Sequence, residues 1–295
     1  MQTFGRPRLP LKDMVFCAAF KVYSLFSSRR FVSDIREAQQ RGYVTQTPHF
    51  NSVSNYLDSK TLTPYLKRLI VESALPLKAI EWNFAVDSSG FSTGAQKKWA
   101  EAKWAHARTV YGEKIPNEVN RKDWVKAHVM CGVKTNIVTA VEVTDAHGAD
   151  SPQFSPLLET TSEGFPIQSV MGDKAYSAEK NLRLVLVKGG MPYVDFRSNT
   201  TGESKGEVWR QMFHFYQYNR ERFMQHYHRR SNVETTFSMI KAKFGERLRS
   251  KTRTAQENEV LCKILCHNVC CLIQSIYELG IEPTFWGGET DVALG

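Results

Sequence analysis

Tyr227-His228-Arg229-Arg230-Ser231-Asn232-Val233-Glu234-Thr235-Thr236-Phe237-Ser238-Met239-Ile240-Lys241 is the stretch on which the reading of this chain turns. At about 100° per residue, Tyr227, Arg230, Glu234 and Lys241 fall at about 0°, 300°, 340° and 320° of a helical wheel. Val233, Phe237, Ile240, Phe244 and Leu248 cluster beside them, between about 220° and 300°. The spacing predicts a helix that packs an apolar stripe on a core and carries a carboxylate between two cations and a phenol along its edge. Such a face also fits ordinary helix-surface ion pairs, which contribute little. Two aspartates upstream, each closing a strand-like run, tip the reading towards a site where metal and phosphate meet.

The first run is Ile80, Trp82, Phe84 and Val86 alternating with Glu81, Asn83, Ala85 and Asp87, with Ser88-Ser89-Gly90 read as the break. The second is Ile167 to Gly172, ending on Asp173. A carboxylate at a strand end can ligate a hard cation, or simply cap the following turn. Between them, Trp124–Val133 and Ile137–Val143 read as strands joined near Lys134-Thr135-Asn136, with Lys126 and His128 on one face of the first. A helix is expected after Asp150-Ser151-Pro152 and a last strand over Pro192–Phe196. One long helix then runs from about Glu207 past Phe244, with a break possible near Tyr227.

Residues 1–76 read as a small all-α domain of four short helices, compatible with a helix-turn-helix DNA reader or with a plain bundle. The leader Gly5-Arg6-Pro7-Arg8 has the character of a backbone- or groove-following arm. Residues 77–280 form the second domain and 281–295 a tail. Residues 95–126 mix Lys97, Lys98, Lys103 and other cations with aromatics, as a phosphate- and base-contacting segment does, and as a solvated charged face also does.

The 295 residues carry a net charge of +9. A chain of that length can bury a full core, and the positive balance admits an anionic partner without requiring one. No apolar run of spanning length and no leader segment is read from the sequence. The six cysteines make no disulfide framework. Cys262, Cys266, Cys270 and Cys271 sit with His267 among apolar residues, as fillers of a buried helix rather than zinc ligands, and free thiols suit a reducing cytoplasm.

The chain resembles bacterial insertion-sequence transposases of the DDE class. Their signature is Tyr, two residues, Arg, three residues, Glu, six residues, Lys, which Tyr227, Arg230, Glu234 and Lys241 match without a gap. Phe237, Phe244-Gly245, Leu248-Arg249-Ser250-Lys251 and His267-Asn268 extend the likeness. Asp87 in Val86-Asp87-Ser88-Ser89-Gly90 and Asp173 in Gly172-Asp173-Lys174-Ala175-Tyr176 are similar to the two family aspartates. The resemblance covers roughly residues 77–275. It implies an α/β ribonuclease-H-like mixed sheet flanked by helices, of the type without an inserted domain, since the interval from Asp173 to Glu234 is too short for one.

The resemblance further implies that Asp87, Asp173 and Glu234 are the catalytic, metal-holding carboxylates, for two Mg²⁺ or Mn²⁺ ions. Tyr227, Arg230 and Lys241 would be DNA partners, and Lys126 and His128 would reach the scissile strand from the sheet. The expected partners are double-stranded DNA, as element ends and target, and further copies of the chain assembled on it. The expected setting is the prokaryotic cytoplasm, with the nucleoid. A plain metal-dependent nuclease and a DNA-binding regulator derived from a transposase stay as alternatives.

Overall fold

Five extended runs rich in apolar and β-branched residues pair into one sheet. The computed structural model describes residues 9–93, 124–197, 200 and 206–283. The strands are β1 (Asn83–Ser92), β2 (Trp124–Gly132), β3 (Val138–Asp145), β4 (Ser169–Gly172) and β5 (Met191–Val194). Their order in the sheet is β3-β2-β1-β4-β5. β1, β2 and β3 pair antiparallel, while β1–β4 and β4–β5 are parallel. The helices are α1 (Leu11–Ser24), α2 (Phe31–Gln40), α3 (Phe50–Leu57), α4 (Leu62–Ala74), α5 (Phe154–Gly164), α6 (Glu179–Val187), α7 (Glu207–Tyr218), α8 (Arg220–Tyr227), α9 (Ser231–Phe244) and α10 (Arg253–Leu279). A mixed sheet with helices packed around it is an α/β fold of the ribonuclease-H-like kind, as the sequence led one to expect.

The β2–β3 hairpin turns through Asn136 at φ 61°. Its corner is held by Glu81, whose buried carboxylate accepts from the backbone N–H groups of Lys134 (3.0 Å) and Thr135 (2.5 Å) and from the Thr135 hydroxyl (2.7 Å). Burial pushes the Glu81 carboxyl above its ordinary range, against these hydrogen bonds.

Helix α10 binds the molecule together. Thr252 caps its N-terminus by accepting from the Ala255 N–H, and Gly280 ends it in the left-handed region at φ 63°. The fully buried Asn268 accepts from the Val138 N–H (2.9 Å) and donates to the Val138 and Ile70 carbonyls and the Ser73 hydroxyl. Asn258 donates to the Leu57 and Ser59 carbonyls and accepts from the Thr63 hydroxyl. Contrary to the sequence reading of apolar runs, α10 is long and apolar enough to cross a membrane, but 67% of its most apolar window is buried inside the protein. It is a core helix.

Two element boundaries named in the sequence reading come out differently. β1 does not break at Ser88-Ser89-Gly90: antiparallel pairing with β2 continues to Ser92, and only the parallel pairing with β4 stops, at Val86 opposite Gly172. A Cβ on Gly90 would stand 2.8 Å from the Trp124 ring, so glycine there admits the aromatic side chain. The long helix is three helices, α7, α8 and α9, with a tight 3-10 turn at His228–Arg230 joining the last two. Contacts also cross the boundary expected at residue 76. α4 packs on β3 and α10, and its Leu66, Ile70 and Ala74 share the main core with the sheet. A separate small core (Cys17, Phe31, Ile35, Ala38, Val44 and Val53) joins α1, α2 and α3. The leader, the segment with Lys97, Lys98 and Lys103, and the tail from residue 284 lie outside the described residues.

Candidate active site

The sheet register sets two aspartates side by side. Val86 on β1 pairs with Gly172 on β4, so the next residues, Asp87 within β1 and Asp173 just past β4, stand at the same level. Gly172 suits this close approach: a Cβ there would meet Val86 Cγ1 at 3.0 Å and the Tyr176 ring at 3.3 Å. Each carboxylate is oriented by a backbone N–H that follows it in the chain. Asp87 Oδ1 accepts from the Ser88 N–H at 2.7 Å, and Asp173 Oδ1 from the Ala175 N–H at 2.8 Å. Asp87 is held above the ordinary carboxylate range, first by burial and then by the charges of Asp173 and Glu234, against the Ser88 hydrogen bond and the Arg230 charge.

Helix α9 brings the third carboxylate. Val233, Phe237, Ile240 and Phe244 are all buried, as the apolar stripe predicts, and this fixes the rotation of the helix. Glu234 then lies along the stripe's edge with its side chain 53% exposed. Between the acids stands Arg230, in the turn before α9. One guanidinium nitrogen is 3.2 Å from Asp87 Oδ2 and the other 2.5 Å from Glu234 Oε1. Like charges separate, and a cation that bonds both draws them together.

Among the described residues, no three His, Cys, Asp or Glu side chains stand as a ready metal-holding group. The donor set nevertheless fits a hard divalent cation: the carboxylates are oxygen ligands, and Asp87 is burdened by two neighbouring negative charges that such an ion relieves.

The remaining signature residues lie around this centre. The Tyr227 ring is 5.9 Å from the Arg230 guanidinium, and burial raises its phenol above the ordinary range. Lys241 lies 5.6 Å from the Phe91 ring and 3.4 Å from Glu246 Oε1. Lys126 is bound to Asp150 (2.8 Å) and to the Gly148 carbonyl. His128 is fully buried, with Nδ1 3.2 Å from Asp150 Oδ1 and Nε2 2.9 Å from the Thr144 hydroxyl. As placed, His128 offers no surface to a DNA strand. The sequence reading expects His128 to reach the scissile strand, because alternation along β2 carries no sign that Asp150 and Thr144 engage the ring.

Sequence reasoning missed what lies under the aspartates. Asp150 resists the effect of its own burial through hydrogen bonds from Lys126 and Ser88, and stays below the ordinary carboxylate range. The buried Tyr176, three residues after Asp173, is pushed up by burial and by the charges of Asp150, Asp87 and Asp173. Asp195, just past β5, was also missed. Val194 pairs with Gly172 on β4, so Asp195 stands level with Asp173. The signal available in the sequence is the Asp that directly follows β5, as Asp173 follows β4.

No curated protein matches the chain. Among solved structures, the chain is similar to a piggyBac transposase in a synaptic complex with hairpin DNA, at 11% identity and TM-score 0.46, over 96% of this chain and 71% of that one. The transposase DDE domain family matches residues 80–269, which hold the whole sheet, both aspartates and Glu234. This chain belongs to the transposase DDE domain family.

Proposed function

We propose that the chain is a DNA transposase that cleaves a phosphodiester at each end of its element and joins the freed 3′-hydroxyl to target DNA. Asp87, Asp173 and Glu234 are its catalytic carboxylates. One observation supports the reading most: Asp87 and Asp173 share a level in the sheet, and Arg230 ties Glu234 to Asp87. Mg²⁺ or Mn²⁺ held by these three would neutralise phosphate charge and acidify a water molecule.

The chain's own residues do the rest. Asp87 and Asp173 are held by the sheet and by hydrogen bonds from the Ser88 and Ala175 N–H groups, so their oxygens would meet the cations without reorganising. Arg230 and Lys241 supply positive charge for phosphate oxygens, and Tyr227 lines the approach beside Arg230. Water attacks first; the released 3′-hydroxyl then attacks a target phosphodiester in the same site. The helices before residue 77 would recognise the element ends, because phosphate contacts carry no sequence.

The test is incubation with Mg²⁺ and DNA carrying the element's own ends. Nicked and joined products are expected from the wild type. Single Asp87→Asn, Asp173→Asn and Glu234→Gln variants should lose both steps by orders of magnitude and still bind DNA. Nicking without joining would point instead to a plain nuclease. Full activity in any of the three variants would remove that residue from the site.

A further inference from the structure

One residue out of phase with Tyr227 and Arg230 runs a second stripe. Arg222, His226 and Arg229 are four and three residues apart, which stacks them on one face of α8 and the turn that follows. His226 lies flat on Tyr193 of the edge strand β5, ring centroids 4.6 Å apart and planes at 16°. Both arginines are exposed, and both make themselves felt at the two rings. Burial lowers His226 below its ordinary range, and the charges of Arg229 and Arg222 lower it further. Burial raises the Tyr193 phenol, and the same two arginines pull it back. Two exposed cations thus share the helical face that carries His226, four residues before it and three after.

Like charges on one helix face repel, and an acid within ion-pair distance relieves some of the chain's arginines. Arg41, Arg68, Arg183 and Arg230 each hold a carboxylate within ion-pair distance. Among the described residues, Arg222 and Arg229 hold none. The exposed Glu221 beside them is not paired with either, and Asp195 bears on Tyr227. An unneutralised cationic track that ends one residue from Arg230 has the charge, the exposure and the position to take a polyanion entering the candidate active site.

We propose that Arg222, His226 and Arg229 form a docking track for the phosphodiester backbone of substrate DNA, leading from the β5 edge to Arg230. The identity of the anion as DNA rests on the transposase reading; the presence of an anion track does not.

The test is binding of the full chain to a fluorescent duplex in EDTA, where no cleavage intervenes, followed by anisotropy from 50 to 200 mM salt. Two phosphate contacts at about −0.9 each predict that Arg222→Ala/Arg229→Ala flattens the log K against log salt slope by about 1.8. The affinity advantage of the wild type should then shrink about twelvefold across that fourfold salt range. Arg222→Lys/Arg229→Lys should keep the slope, and the single Arg229→Glu should weaken binding at low salt. An unchanged slope in the folded double-alanine variant would overturn the track and leave the transposase reading standing. A wild type without salt-dependent DNA binding would overturn both.

Discussion

Replacing Arg230 by Met keeps the aliphatic stem and removes the charge that Asp87 and Glu234 share. At an effective dielectric constant of about 20 and charge centres about 4 Å apart, the Asp87 arm contributes about 4 kcal/mol of attraction before desolvation. Both side chains of that pair are only 21% exposed. Burial opposes the charge on Arg230 more than any other influence, so part of the attraction is cancelled. The Glu234 arm is half in water and worth no more than about 0.5 kcal/mol. We therefore expect Arg230→Met to cost about 1–3 kcal/mol of unfolding free energy in EDTA at neutral pH.

Urea unfolding of Arg230→Met, Asp87→Asn and the double variant gives the coupling directly. It should be about 1–2 kcal/mol for this pair and below about 0.5 kcal/mol for the cycle with Glu234→Gln. Additivity within about 0.3 kcal/mol in the Asp87 cycle would refute the argument that Arg230 is the cation compensating Asp87.

Two further outcomes can be measured on the same preparations. Because burial raises the Glu81 carboxyl above 4.5, the folded state holds its proton longer than the unfolded one. The stability of the wild type relative to Glu81→Gln should thus be greatest below pH 4.5 and fall as pH rises through the raised value; a difference that grows with pH contradicts this sign. Asn268→Ala removes four hydrogen bonds and strands buried groups of β3 and α4, which should lower stability by about 2–4 kcal/mol. A loss under about 1 kcal/mol would show that α10 does not clamp those elements through this residue.

How much of this was legible in the sequence follows the range of the interactions. The stripe Val233, Phe237, Ile240 and Phe244 is local, and all four are buried. The apolar runs ending at Asp87 and Asp173 are local as well. Pairing is not. Ser88-Ser89-Gly90 has the composition of a turn, yet β2 supplies partners as far as Ser92. The short helices before residue 77 have the spacing of an independent domain. The packing of Leu66 and Ile70 in the main core and the ion pair of Lys67 with Glu142 on β3, which tie α4 to the sheet, are long-range. Arg230 was visible as the i−4 partner of Glu234. Its second bond, to a residue 143 positions away, is a property of the folded chain alone.

That second bond sets up a competition. Asp87 and Asp173 are fixed by strand register, and α9 is fixed by Val233, Phe237, Ile240 and the buried Thr236. What remains adjustable is the Arg230 side chain and the exposed Glu234 carboxylate. Arg230 can give up Asp87 without leaving it uncompensated only when another cation takes its place. The released guanidinium then lies beside Arg229, at the end of the proposed phosphate track. On the proposed reading, divalent cation and DNA should therefore bind cooperatively, each favouring the state in which Arg230 faces phosphate. At constant ionic strength, duplex affinity should rise about five- to tenfold when Ca²⁺, a hard cation of the same charge, replaces EDTA. Arg230→Met should lose most of that gain while still binding the ion. Equal gains in wild type and variant would show that the guanidinium does not pass from carboxylate to phosphate.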